Sequence, residues 1–174
     1  MLKKLLLAGV VALVLLVLAG FLVSPKVHVE RTLTMKASPG KIFEQINTLK
    51  NWEKWSPWHK LDPEMKLQYS GPESGVGAKY AWQSQKHGVG NGSLTISKSV
   101  SEQEVETVMV FDKGGGVGDF KLEKAGEGTK VVWSMDADMG KNPLARYMGL
   151  AMDKMVGPDF QKGLENLRQL SEAK

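Results

Sequence analysis

Leu5 to Val23 is a run of nineteen residues without a charge, preceded by Lys3 and Lys4. As an α-helix rising about 1.5 Å per residue it would be roughly 28 Å long, close to the hydrocarbon thickness of a bilayer. Ser24-Pro25 ends it, because proline disfavours helix in the residue before it. A cleaved signal peptide would carry a shorter apolar region, about 7 to 15 residues, and an A-x-A-like site. Neither is present, and a lipoprotein anchor would need a cysteine, which the chain lacks. The expected organisation is a transmembrane anchor over 1–24 and one folded domain over 25–174. Lys3 and Lys4 favour an inside N-terminus, although Lys26, Arg31 and Lys36 after the run weaken the asymmetry. A single-pass protein of the inner (cytoplasmic) membrane is expected, with its domain exported, in a bacterium to the periplasm.

Charge and cysteine content exclude several classes of function. The chain has 23 Lys and Arg against 19 Asp and Glu. Two of those bases precede the apolar run, so the domain is nearly balanced and offers no basic face for nucleic acid. Without cysteine there are no disulfides, thiolate nucleophiles or cysteine-held zinc sites.

Beyond the anchor, Val27, Val29, Leu33 and Met35 alternate with polar residues, the pattern of a half-buried strand. Arg31 falls on the apolar parity, which points to an edge or rim position. Ser38-Pro39 reads as a helix cap with proline at the first helical position, and Ile42, Phe43, Ile46 and Leu49 form the face that follows. Trp52, Trp55 and Trp58 then crowd a short stretch. They read first as a helical turn pinned into the core, with a pocket wall and a membrane or partner contact as alternatives. A weak strand is expected at Met65–Tyr69. Further strands are expected around Ala78–Gln83, Ser93–Ser97, Val105–Phe111, Gly118–Leu122 and Val131–Asp138. Glycine clusters, Gly114 to Gly116 among them, mark the turns.

The period changes after Asn142-Pro143. Leu144, Tyr147, Met148, Ala151, Met152 and Met155 share one helical stripe, and Phe160, Leu164, Leu167 and Leu170 resume it beyond Gly157-Pro158. One kinked helix or two abutting helices would satisfy this pattern. The expected fold class is α+β, a curved antiparallel sheet wrapped around a long C-terminal helix and burying its stripe. A wide sheet curled over one helix tends to leave a cavity between them.

Little in the sequence points to catalysis. His28, His59 and His87 lie in separate segments, without metal-ligand spacing. His28 is on the polar parity of its strand and His87 in a turn, which leaves His59 as the one to test as an acid or base. Asp136 and Asp138 share the outward parity of the last strand, where they read either as a solvated strand end or as a cation or acid–base pair. No glycine cluster leads into a helix N-terminus, as a phosphate-cradling loop requires. No metal or organic cofactor is expected.

Several motifs carry a family resemblance. They are Ala37-Ser38-Pro39 with Ile42-Phe43, Asn51-Trp52 through Trp55-Ser56-Pro57-Trp58, Gly75-Val76-Gly77 before Tyr80 and Trp82, and Gly163, Leu164, Asn166 and Leu167 near the end. Over about residues 27–172 the chain resembles the START-like (SRPBCC) superfamily of polyketide cyclase/dehydrase and lipid-transport proteins, which have the helix-grip fold. More narrowly it resembles membrane-anchored bacterial members. The resemblance implies a membrane-tethered module that binds a lipid or other apolar small molecule and has no evident catalytic centre. Strand parity and the helical stripe give Tyr80, Trp82, Met109, Trp133, Met135, Met148 and Met152 as its expected lining. Two other readings are a cyclase- or dehydratase-like enzyme using His59 or a buried carboxylate, and a membrane-tethered interaction or stress-response module with a packed interior.

Overall fold

The computed structural model describes residues 1–86, 88–112 and 114–173. Helix α1 (Leu2–Gly20) carries no charge after Lys4, and its sides are exposed. The domain then begins with strand β1 (Lys26–Met35). Helix α2 (Pro39–Asn47) starts as its sequence predicts, with Ser38 Oγ accepting the Lys41 N–H. A 3₁₀ turn (Leu49–Asn51) and two short helices, α3 (Trp52–Trp55) and α4 (Pro57–Leu61), lead into the rest of the sheet. Its strands are β2 (Lys66–Ser70), β3 (Lys79–Gln83), β4 (Gly92–Val100), β5 (Glu104–Phe111), β6 (Gly114–Ala125) and β7 (Gly128–Asp138). Helix α5 (Pro143–Glu172) closes the chain.

The seven strands lie in the order β1-β7-β6-β5-β4-β3-β2, antiparallel throughout. From β2 to β7 each strand pairs with the next in sequence, so tight turns suffice. Only the β1-to-β2 connection must travel from one edge of the sheet to the other, and α2 to α4 make that crossing. The register slips between Ile96 and Lys98, a bulge that bends β4. Bending turns one face concave, and α5 packs there beside α2 and α3. This is the helix-grip architecture.

Alternation fixes which side chains enter the core. Val27 and Val29 of β1, Val105 of β5, Phe120 and Leu122 of β6, and Val131 and Trp133 of β7 are buried on the concave face. Phe160, Leu164 and Leu167 of α5 meet them. As the parity of Arg31 predicts, β1 is an edge strand. Its guanidinium reaches across to Asp153 of α5, with Nη1 2.7 Å from Oδ1. Gly157 makes room for it, since a Cβ there would overlap the guanidinium.

Of the two arrangements open for the C-terminal segment, the structure has one helix, which continues through Pro158. Lys154 and Pro158 are both on its exposed face, so the carbonyl that proline leaves without a donor is open to water. Two other expectations need correction. The stripe before Pro158 is not buried as a whole. Leu144, Met148 and Met155 are exposed, and only Met152 turns partly inward, because the sheet curls over the second half of the helix. Finally, Gly114 to Gly116 belong to β6 rather than to a turn, pairing with Phe111, Val110 and Met109.

Candidate functional site

The core is not filled from end to end. A cavity of about 220 Å³ lies between the sheet and α5. Its position follows from β6. Along that strand the concave parity runs Leu122, Phe120, Gly118, Gly116, so bulky side chains occupy one end and no side chain the other. A Cβ at Gly118 would sit 2.8 Å from Thr107 Oγ1 and 3.4 Å from Met109 Cε, so this glycine leaves room for two side chains that border the cavity. These concave glycines thus give the lining side chains of β5 and β7 their room.

The floor is formed by Tyr80 and Trp82 of β3, Leu94 of β4, Thr107 and Met109 of β5, and Trp133 and Met135 of β7. Met152, Val156 and Phe160 of α5 form the roof, while Trp52, Trp58 and His59 close the side nearest α3 and α4. Gly88, Val89 and the outer part of Phe111 border the opening to solvent. All the expected lining residues except Met148 border this cavity. Met148 points away from it, 62% exposed. Packing against the sheet turns the inner side of α5 to Met152 and Val156, which puts Met148 on the outer side.

The tryptophan segment supplies both core and wall. Trp55 is fully buried, its indole N–H donating to Gln45 O at 3.1 Å, and Trp52 donates to Ile46 O at 2.8 Å. Asn166 of α5 donates to Trp55 O at 2.9 Å, which fixes the helix against the turn. Trp58 is only partly buried and meets Trp133 and Phe160 edge to face, at 5.9 and 6.1 Å between ring centroids. Core and pocket-wall readings of this segment therefore both describe it.

Polar groups in the lining are few. Thr107 Oγ1 donates to Gly118 O at 3.2 Å and is satisfied. Burial pushes the Tyr80 phenol above its ordinary range. His59 is different: neither ring nitrogen has a hydrogen-bond partner among the described residues. Burial lowers its pKa, against a smaller opposing pull from the charge of Glu53, and favours the neutral imidazole. A neutral imidazole offers one donor and one acceptor. The sequence singled out His59 as the histidine to test but did not show that it is buried against the cavity. Its apolar neighbours come from distant strands.

The other candidates lie elsewhere. His28 is exposed, with Nδ1 2.8 Å from Asp136 Oδ1, and this hydrogen bond raises its pKa. Asp138 pairs with Lys26 at 2.9 Å, and the hydrogen bond from that lysine holds its carboxyl below the usual range. Asp136 and Asp138 are thus engaged separately at the strand end, and no cluster of three metal-ligating side chains occurs among the described residues. His87 lies outside the described residues.

Comparison with solved structures returns the same fold. Protein SA2116 of Staphylococcus aureus superposes with a TM-score of 0.61 at 13% identity, covering 85% of this chain and 97% of that one. Protein CV1439 of Chromobacterium violaceum gives 0.57 at 14%, covering 84% and 98%. The Aha1 protein of Colwellia psychrerythraea, solved as a dimer in solution, gives 0.52 at 16%, covering 82% and 98%. At these identities the likeness is one of fold. No curated protein matches the chain in sequence. A family model described as polyketide cyclase / dehydrase and lipid transport matches residues 26–172, nearly the whole of the domain just described. The chain belongs to the polyketide cyclase / dehydrase and lipid transport family.

Proposed function

We propose that the domain binds a small apolar molecule, or a single acyl chain of a lipid, in the cavity between the sheet and α5. The observation that carries this reading is an aromatic and methionine-lined space of about 220 Å³ whose wall includes the His59 imidazole, buried and without a hydrogen-bond partner among the described residues. That volume is below the roughly 300–1,000 Å³ of sites for drug-sized ligands, so the occupant is small or enters by one chain only. Methionine side chains adapt to varied apolar shapes. His59 suits a ligand with a single hydroxyl, carbonyl or carboxyl group, because leaving a buried donor and acceptor unpaired is costly.

Helix α1 is read as a single-pass anchor. It is a 19-residue helix with no charge after Lys4 and with its span unburied by the protein. Lys3 and Lys4 favour a cytoplasmic N-terminus and an extracytoplasmic domain. Native mass spectrometry of the full chain, released gently from membranes, should reveal a co-purifying apolar molecule. Consistently bare protein, with a fluorescent acyl probe failing to bind, would refute the reading.

One observation favours a second role. A neutral imidazole inside an apolar cavity is also placed to accept a proton from a bound ligand. If it does so, His59→Gln would abolish turnover of the ligand and leave its binding largely intact. Equal loss of both would assign His59 to binding alone.

A further inference from the structure

The end of α1 and the opening of the cavity are at the same end of the sheet. Lys26, the first residue of β1, is opposite Asp138, the last of β7. The neighbouring rungs run through Ala137 and Gly116, Gly115 and Val110, then Phe111 and Gly92, and finally Gly92 and Trp82. This rim of the sheet therefore passes from the chain's exit from α1 to Phe111 and Trp82 at the cavity. Phe111 is 41% exposed there, large for an aromatic side chain beside a cavity.

Helix α1 is also docked to the start of α5. A Cβ at Gly20 would stand 2.7 Å from Pro143 Cβ and 2.9 Å from Tyr147 Cε2. Arg146 Nη1 donates to Phe21 O at 2.9 Å. Tyr147 Oη donates to Leu16 O at 2.8 Å, reaching past the end of α1 to a residue well inside the apolar run. Leu16 precedes Val23 by seven residues, about 10 Å along a helix. If α1 spans a bilayer, the first turns of α5 are held at the level of its interface, the depth that tyrosine favours.

The outer side of those turns suits that position. Leu144, Met148 and Met155, four and seven residues apart, form one exposed apolar stripe, and one step around the helix Met152 and Val156 line the cavity. Lys141 and Lys154, both exposed, are near the two ends of the stripe, where anionic headgroups would meet them. Of the nearby acids, Asp138 pairs with Lys26, Asp136 with His28 and Asp153 with Arg31, while Asp112 beside Phe111 is exposed.

We propose that this end of the domain is seated on the bilayer that α1 spans, with the first half of α5 and the Phe111 end of β5 in the interfacial layer. The cavity then opens toward the lipid, and an apolar ligand passes between leaflet and cavity without crossing water. This rests on the anchor and ligand-binding readings above.

The test uses the full chain in vesicles of phosphatidylcholine and phosphatidylglycerol. The protein has no cysteine, so single-cysteine variants can each carry one nitroxide. Val10→Cys reports the anchor, Met148→Cys and Phe111→Cys report the proposed face, and Glu127→Cys reports the opposite end of the sheet, in the β6–β7 turn. Relaxation by oxygen is compared with relaxation by a water-soluble nickel chelate. The expected oxygen-to-nickel ratio at Met148 and Phe111 is several times that at Glu127. A lipid-like Val10 with Met148 and Phe111 matching Glu127 overturns the seating but leaves the anchor standing. An aqueous Val10 removes the anchor and the seating together. Shielding of Met148 and Phe111 from both reagents, with spin–spin broadening, shows a second copy on this face and overturns the proposal. Ligand binding is measured separately by mass spectrometry, so its failure is distinguishable from all of these.

Discussion

Phe160 of α5 stacks on Trp133 of β7 with ring centroids 4.1 Å apart and planes 11° from parallel. Trp133 stacks in turn on Phe120 of β6, at 4.8 Å and 22°. Three aromatic layers thus join the closing helix to the middle of the sheet. Two of the three rings, Trp133 and Phe160, also border the cavity.

Truncation of this stack should be costly. Phe160→Ala removes a fully buried ring and should destabilise the domain by about 3–5 kcal/mol. Denaturant unfolding followed by tryptophan fluorescence measures this. A loss under about 1 kcal/mol would mean that the helix is held mainly by other contacts.

Gly163 lets α5 approach Trp133. A Cβ there would sit 2.6 Å from Trp133 Cζ3 and 3.2 Å from Pro57 Cδ. The indole is held between two rings and cannot yield easily, so Gly163→Ala should cost about 1–3 kcal/mol despite alanine's better helix propensity. A stabilised variant in the same unfolding assay would show that the stack can shift.

The two described histidines should respond to pH in opposite directions. The Asp136 hydrogen bond raises the folded pKa of His28. Its stabilising contribution is therefore full below the unfolded value, about 6.5, and is lost as pH rises through the raised folded value. The pair is exposed, so the effect is small. Burial lowers the folded pKa of His59. Its contribution is full above about 6.5 and is lost as pH falls through that value toward the lower folded one. Imidazole NMR titration of the full chain in micelles should place His28 above and His59 below the ordinary value. The reverse order would contradict both environments.

Occupancy of the cavity can be separated from exposure of the helix. Met152→Trp fills space at the roof and should weaken binding of a fluorescent acyl probe at least about tenfold, or about 1.4 kcal/mol. Met148→Trp, on the outer side of the same helix, should leave probe affinity unchanged. Equal effects from the two would move the binding site away from the cavity.

Much of the fold was legible because periodicity and capping are local. Alternation in Val27–Met35 and Val131–Asp138, the caps at Ser38 and Asn142, and the glycine-marked connections specify strands and helices before any contact forms. The edge position of β1 could be read from the misplaced parity of Arg31. The site was legible in part. Strand parity identifies Tyr80, Trp82, Met109, Trp133 and Met135 as concave. Parity does not show that a space remains between these side chains and α5, nor that His59 borders it, because both depend on neighbours from other elements.

Met148 shows the boundary most clearly. Its apolar stripe was correct, yet a stripe records which residues share a helix face and not what covers that face. By itself the sequence determined the apolar N-terminal helix, the order of strands and helices, and the side of each strand that enters the core, since these follow from hydropathy and backbone geometry over a few residues. Tertiary structure decided that α5 continues through Pro158, that the cavity lies beside Gly116 and Gly118, and that Leu144, Met148 and Met155 are exposed. Those outcomes depend on how far a bent sheet reaches along the helix that it holds, a relation between segments that no local pattern encodes.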